Sequence, residues 1–457
     1  MTGMNDGLLD KRKGSSIFEF DFLIFLSMLA LMTIGGLFIY SSGVNAAGQV
    51  VSREYVHQIV WIGSALLIYF LLQLPQYNVL QKLSVQIYIV LVLLLIATLF
   101  FGKTVNGARS WLGLFGFGIQ PSEFMKVGLI TILATFYQSR KKEIHNPSTF
   151  FIGLLLTLLP MGLILMQPDM GTAMVYIPLF LAVSFIAGVN KKYLLFLLFY
   201  LFLLFYGFLS VLFAVLPVWE TYILQQQVRI LEIFHRSNLV IFTTLVLAGT
   251  AMLSFIAYRF AKRKYFLSFS LICLLLAMSL FSSYEFRAFL KDYQIMRLIV
   301  FIKPEVDPQG SGWNIIQSLT AVGSGGFWGK GFLEGTQSHY QFLPQQSTDF
   351  IFSIIAEEWG FIGTFAILTL FALLLSRGLI ITLRASDDFG VLMGTGIVFM
   401  LFFHLVINIG MAIGIMPITG IPLFFLSYGG SSLWTATIGL AVIQNVIQNI
   451  YLRRYKY

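Results

Sequence analysis

Apolar residues dominate this chain in long unbroken runs, not in the alternating or one-faced patterns of water-soluble elements. Twelve runs stand out: residues 20–40, 56–73, 84–101, 123–138, 150–167, 171–188, 193–217, 239–258, 265–283, 351–376, 391–415 and 429–451. A hydrocarbon core takes about 20 helical residues to cross. Inside it only helices and closed barrels satisfy their own backbone. The pattern predicts an all-α polytopic transmembrane bundle of about twelve spans. The sixth run is the weakest of these, being short and holding Pro178.

The polar residues between the runs set an orientation. With the N-terminus inside, the cytoplasmic segments collect Lys11-Arg12-Lys13, Lys82, Arg140-Lys141-Lys142, Lys191-Lys192, Arg259, Lys262-Arg263-Lys264, Arg377, Arg384 and Arg453-Arg454-Lys456. Cytoplasmic loops of membrane proteins are enriched in Lys and Arg, so both termini are expected in the cytoplasm. The first run follows its basic cluster and is too long for a cleaved leader, so it is read as a retained span.

Two outward segments depart from the short-loop pattern. Residues 102–122 carry Lys103, Arg109, Trp111 and several glycines, and residues 284–350 are rich in Gly, Gln, Ser and aromatics. A connection this long is either functional or disordered, and its aromatic content argues for an ordered periplasmic loop. The stretch 218–238 is amphipathic and reads either as an interfacial segment or as a plain connection. The domain boundaries that follow are a cytoplasmic tail 1–19, membrane bundle 20–217, inserted helical hairpin 218–283, outer loop 284–350, membrane bundle 351–451 and cytoplasmic tail 452–457.

Composition agrees: 58% of residues are hydrophobic and 11% charged, with mean hydropathy +0.85, against about 25% charged in soluble domains. The net charge of +9 is spread over the loop clusters, which speaks against nucleic acid as a partner. The single cysteine, Cys273, permits no intrachain disulfide.

Ionisable residues in or beside the apolar runs are the candidates for chemistry. Glu123 and Lys126 share a helix face at i, i+3 and read either as a structural ion pair or, with Arg109, as a site for an anionic headgroup. Asp169, in Gln167-Pro168-Asp169-Met170-Gly171-Thr172, reads as a helix cap or as a functional carboxylate. Asp349 ends the outer loop where the chain re-enters the membrane. It can cap the following helix, or take a proton from a hydroxyl group, since partial desolvation raises an acid towards useful general-base strength. Glu357 lies eight residues on, within about 80° of Asp349 on a helical wheel. His339 and His404 lack metal-ligand spacing, so no protein-bound metal is expected; a divalent cation carried by a diphosphate substrate is left open. The run Gly323–Gly331 is not a nucleotide-binding loop and reads as a place of close backbone approach.

Together these segments resemble the SEDS family (shape, elongation, division and sporulation proteins), and within it the RodA branch. The resemblance is carried, in family order, by Asn106–Trp111, Gln120–Lys126 and Gln167–Thr172. It continues through Tyr293-Gln294 with Arg297, Pro304-Glu305, Asp307-Pro308, Gly312–Ser318, Gly323–Gly326, Gly329–Gly331, Gly335–Ser338 and Phe342–Pro344. Thr348–Phe352, Glu357-Glu358, Pro417–Pro422 and Ser427–Ser432 complete it. Two departures stand out. Family members resemble ten-span proteins, which makes a hairpin near 218–283 surplus, and Gln345-Gln346-Ser347 replaces a Glu-x-His pattern, so no histidine stands there to assist Asp349.

The resemblance implies an inverting peptidoglycan glycosyltransferase of the bacterial inner membrane that polymerises lipid II during cell elongation. It implies Asp349 as the base, and Arg109, Glu123, Lys126, Asp169, Arg297, Gln317 and Ser318 as substrate-binding residues. No cofactor is implied beyond a divalent cation (Mg or Mn) accompanying the diphosphate. A class B penicillin-binding protein is the implied partner. A lipid II flippase and a non-catalytic elongation scaffold are the alternative readings.

Overall fold

The computed structural model describes residues 20–105, 107–114, 117–215, 237–289 and 292–454. Its regular structure is helical apart from one small sheet. The described chain falls into two compact units, Met1–Val189 with Ile299–Tyr457, and Asn190–Leu298.

The first unit begins with α1 (Phe22–Ser42), α2 (Glu54–Leu71), the short α3 (Asn78–Lys82) and α4 (Ser84–Phe101). A three-stranded antiparallel sheet follows, β1 (Lys103–Val105), β2 (Ala108–Leu114) and β3 (Phe117–Ile119), with Val105 paired to Ala108 and Leu114 to Phe117. The hydropathy reading left this segment without strands. Next come α5 (Pro121–Ser139), α6 (Pro147–Met166), α7 (Met170–Met174) and α8 (Tyr176–Ala187). The weak sixth run is thus two helices, and Pro178 lies in the first turn of α8, where its missing N–H is harmless.

The second unit holds α9 (Lys191–Val215), α10 (Ser237–Ala261), α11 (Lys264–Phe289) and the start of α12 (Asp292–Ile302). Helices α10 and α11 pack through small residues. Ser254 Oγ donates to the Phe266 carbonyl and Ser270 Oγ to that of Ala251, each at 2.7 Å. Small polar contacts of this kind hold helices together where lipid removes the hydrophobic drive. The amphipathic reading of 218–238 falls outside the described residues, except where α10 begins.

After α12 the first unit resumes with α13 (Ser311–Ser324), α14 (Thr336–His339), α15 (Ile351–Thr382), α16 (Asp388–Ala412) and α17 (Gly430–Arg454). The segment expected to be a loop over 284–350 is therefore substantially helical. All twelve apolar runs coincide with helices, and nine helices among the described residues are long and apolar enough to cross a membrane. The chain is a multi-pass membrane protein.

Two helices in this unit are interrupted and repaired. Pro160 sits inside α6 and cannot donate to the Leu156 carbonyl; the Tyr88 hydroxyl from α4 donates to it instead, at 2.7 Å. The larger break is in α15, where Gly360 adopts φ 61°, ψ −157°. Here the run Gly325–Gly331 lies against the gap and supplies the missing partners. Lys330 N and Gly331 N donate to the carbonyls of Glu357 and Glu358, both at 3.0 Å. Phe361 N and Ile362 N donate to Gly326 O at 2.9 Å and Phe327 O at 3.2 Å. A Cβ on Gly325 or Gly329 would collide with the carbonyl of Ala356 or Glu358. The glycines admit the close backbone approach that the sequence suggested.

Gly360→Ala should lower stability by roughly 1–3 kcal/mol, because its backbone region is open only to glycine and a Cβ would strike Gly329 N. Thermal unfolding of the detergent-solubilised chain checks this. Gly162→Ala, in open space on α6, is the control expected to leave the midpoint unchanged or raise it. An unchanged midpoint for Gly360→Ala would contradict the clamp.

Candidate active site

Asp349 lies in a turn, Gln345–Phe350, most of whose carbonyls are engaged. Inside the turn the N–H groups of Thr348, Asp349 and Phe350 converge on the Gln345 carbonyl at 3.3, 3.1 and 3.4 Å, with Gln345 itself at φ 52°. The carbonyls of residues 347–349 each accept a bond from a distant part of the chain. Tyr428 N donates to Ser347 O at 2.8 Å, Ser427 Oγ to Thr348 O at 2.5 Å, and Asn408 Nδ2 to Asp349 O at 2.9 Å. Gln346 Nε2 adds a bond to the Ser42 carbonyl at the end of α1, at 2.7 Å. Asp349 is 9% exposed beside the exposed Pro344 and Gln345. Helix α15 starts two residues on, with Phe350 in the N-cap position. A carboxylate so placed is largely desolvated yet lies beside exposed residues, the setting that suits a base.

The partner of this turn is residues 413–429, a non-helical segment between α16 and α17 whose Leu423–Leu426 are buried. Non-helical backbone at this depth is tolerated only when protein buries it and pairs it. Asn408 Nδ2 reaches Ile421 O at 2.8 Å, Ser427 Oγ receives Leu423 N at 2.9 Å, and Gly429 N donates to Gln58 Oε1 at 3.3 Å. Gly35 of α1 and Gly171 of α7 allow the segment to approach: a Cβ on either would strike its backbone, at Phe425–Leu426 and Thr419 respectively. Phe425 is held at φ 69°, a strained value for a bulky residue.

Glu123 and Lys126 form the expected pair, Nζ to Oε1 at 2.6 Å, but at 2% and 0% exposure they are sealed inside the bundle. Lys126 Nζ also lies 2.8 Å from His404 Nε2. A lysine ammonium only donates, so His404 carries its proton on Nδ1 and presents it to the Pro422 carbonyl, 3.2 Å away. Phe424 stacks on the imidazole with centroids 3.9 Å apart. The arrangement realises the structural ion pair and extends it, through a histidine that the sequence raises only as a candidate metal ligand, to the 413–429 segment.

Asp169 is the N-cap of α7. It accepts from Thr172 N at 3.1 Å, Thr172 Oγ1 at 2.9 Å and Gln120 Nε2 at 2.9 Å, and its charge acts on Lys126. Arg109 is exposed, and its guanidinium donates to the carbonyls of Gly102 at 2.8 Å and Phe100 at 2.6 Å. It thereby ties the outer sheet to the C-terminal end of α4, where unpaired carbonyls favour a cation. Ser318 is buried: its proton goes to Ala412 O at 2.7 Å, so Ser353 Oγ is the donor across the 2.6 Å contact between the two hydroxyls. Gln317 is half-buried on the same helix, and Arg297 belongs to the second unit, on α12. The structure thus gathers Glu123, Lys126 and Asp169 in one cluster, and sets Asp349 in a second tied to the same segment.

Glu357 and Glu358 point to a different task from that of Asp349. Glu357 Oε1 accepts from Lys330 Nζ at 2.7 Å, Thr336 N at 2.8 Å, Thr336 Oγ1 at 2.9 Å and Gln337 N at 3.0 Å. Glu358 accepts from Ser41 Oγ at 2.5 Å and Leu333 N at 3.0 Å, and His339 Nε2 lies 3.6 Å away. Both carboxylates pin the outer segment 330–339 onto the bundle.

Glu357→Ala should destabilise by roughly 1–3 kcal/mol for the donors it orphans and expose segment 330–341 to limited proteolysis. Lys330→Ala should do less, since Glu357 keeps its bonds to Thr336 and Gln337. An equal or greater effect from Lys330→Ala would refute the anchoring role.

Comparisons with known proteins agree with this architecture. The profile of the FtsW/RodA/SpoVE family, described as cell cycle protein, matches residues 21–240 and 233–451. Peptidoglycan glycosyltransferase RodA of Treponema pallidum is 45% identical over 94% of this chain and 97% of its own length. Stage V sporulation protein E of Bacillus subtilis is 32% identical over 93% and 96%, and peptidoglycan glycosyltransferase MrdB of Escherichia coli 30% over 92% and 91%. Among solved structures, a chain from work titled structural coordination of polymerization and crosslinking by a peptidoglycan synthase complex superposes with TM-score 0.61. It is 28% identical, and the match covers 94% of this chain and 98% of that one. The crystal structure of Thermus thermophilus rod shape determining protein RodA, 24% identical with the same coverage and TM-score 0.58, shares the fold. With both halves matched by one profile and relatives aligned along nearly their full length, the chain belongs to the FtsW/RodA/SpoVE family of cell cycle proteins.

Proposed function

We infer that this protein is a peptidoglycan glycosyltransferase that polymerises lipid II into glycan strands during cell elongation. Full-length relatives named as peptidoglycan glycosyltransferases support the reaction class. The observation that carries the residue assignment is Asp349, a largely desolvated carboxylate at the outer edge of the bundle, on a turn whose consecutive carbonyls are all held.

In the proposed step an acceptor sugar 4-hydroxyl attacks the anomeric carbon of a donor held through an α-linked undecaprenyl diphosphate. Asp349 takes the hydroxyl proton as the new C–O bond forms. The bond to the diphosphate oxygen breaks on the opposite face, so the linkage inverts from α to β and the diphosphate leaves with the electron pair. Placing the acceptor within hydrogen-bond reach of the base lowers the barrier by orientation, and the base removes the charge that would otherwise build on the attacking oxygen.

Arg109, Arg297 and Lys126 are the proposed cations for the developing diphosphate charge. Lys126 is committed to Glu123 and His404 in this conformation, so its part would be electrostatic at a distance or would follow a rearrangement. Glu123 and Asp169 bear on the same region through Lys126, and Gln317 and Ser318 through the packing of α13. A divalent cation, Mg or Mn, would enter with the diphosphate as part of the substrate. The proposed setting is the bacterial inner membrane, with both termini cytoplasmic and the Asp349 edge periplasmic, and a class B penicillin-binding protein as partner. The flippase reading draws no support from Glu123 and Lys126, which are closed off inside the bundle.

Purified full chain, supplied with its transpeptidase, should lengthen fluorescent lipid II. Asp349→Ala and Asp349→Asn should each reduce this by roughly 10²–10⁴-fold without loss of folded protein. Normal polymerisation by either variant would remove Asp349 from the mechanism. Translocation of lipid II in vesicles without polymerisation would replace the enzyme with a flippase.

A further inference from the structure

Asn408 lies in the last turns of α16 and is fully buried. Its two Nδ2 protons are divided between the carbonyls of Asp349, at 2.9 Å, and Ile421, at 2.8 Å. Only an amide with its nitrogen facing these carbonyls satisfies both, since the flipped amide would set oxygen against two oxygens. The orientation is therefore fixed by the two acceptors. Its Oδ1 is buried with no hydrogen-bond partner in the structure. A buried acceptor without a donor is costly, so Asn408 is a poor choice for packing alone.

Of the three groups that hold the carbonyls of residues 347–349, Tyr428 N and Ser427 Oγ belong to the 413–429 segment itself. Asn408 alone comes from a membrane helix. It joins the peptide that carries Asp349 to that segment and to α16 at one point. One turn earlier on the same face, His404 meets Pro422 O and Lys126. Two neighbouring carbonyls of the segment, 421 and 422, are thus fixed from one ridge of α16.

We propose that Asn408 is a positioning residue for the transfer reaction, setting the Asp349–Phe350 peptide plane and through it the direction of the Asp349 carboxylate. Loss of its donors frees that plane to rotate and moves the base away from the acceptor hydroxyl, while lipid II binding is left intact. The inference rests on the reading of Asp349 as general base.

The test compares Asn408→Leu, which removes both donors, Asn408→Asp, which keeps the shape but turns donors into acceptors, and Asn408→Gln, which keeps both donors. Each is assayed as full chain with the transpeptidase and fluorescent lipid II, alongside Asp349→Ala. The Leu and Asp variants should lose about 10- to 100-fold in kcat, the usual result of a misplaced group, with KM within about twofold of wild type. The Gln variant should retain more kcat than the Asp variant. A raised KM with unchanged kcat, or full kcat in Asn408→Asp, overturns the proposal. Recovery of all three variants only as unfolded protein also overturns it, by assigning Asn408 to folding. Should Asp349→Ala polymerise normally, the general-base reading falls and this proposal with it; an inactive Asp349→Ala beside a fully active Asn408→Asp removes this proposal alone.

Discussion

A peptide group that is neither helical nor hydrated must find a partner within the protein, and that requirement organises this molecule. Three places break the helical ladder of the first unit: Pro160 in α6, Gly360 in α15 and the whole segment 413–429. Each is answered by a specific donor or acceptor from elsewhere. Tyr88 serves the first, the glycine-rich run 325–331 the second, and Asn408 and Gln58 the third. An unpaired group in this setting costs several kcal/mol, so such repairs specify which helices meet.

The same economy accounts for where ionisable side chains sit. Lys126 is not left alone in the bundle: Glu123 neutralises it and His404 accepts a second hydrogen bond from it. Glu357 and Glu358, a few residues past Asp349, are saturated by donors from the outer segment. Breaking such a buried set by removing one member leaves an uncompensated charge, which favours a single arrangement of the outer segment over α15. Asp349 differs in lying beside the exposed Pro344 and Gln345, with its backbone carbonyl held by Asn408.

Much of this was readable from residue order. Every apolar run becomes helix, the sixth as two helices, because bilayer thickness and backbone pairing leave few alternatives, and the i, i+3 spacing of Glu123 and Lys126 places them together on any helix. The Asp169 cap follows from a Pro-Asp turn before a helix. The outer sheet had a local signal that hydropathy ignores, the Asn106-Gly107 dipeptide, a strong hairpin marker; Gly107 indeed takes φ 84°. Arg109 had no such signal for its use, since its acceptors are carbonyls of α4.

Residue order alone thus settled the solvent, the all-helical class of the membrane part and the family motifs that single out Asp349. All of these follow from local hydrophobicity, spacing or a motif. It left open that His404 would accept a hydrogen bond from Lys126, that Asn408 would hold Asp349, and that glycines 325–331 would close the gap at Gly360. Those pairings join residues separated by tens to hundreds of positions. They exist only once the helices have packed, because a buried donor is assigned its acceptor by proximity in space.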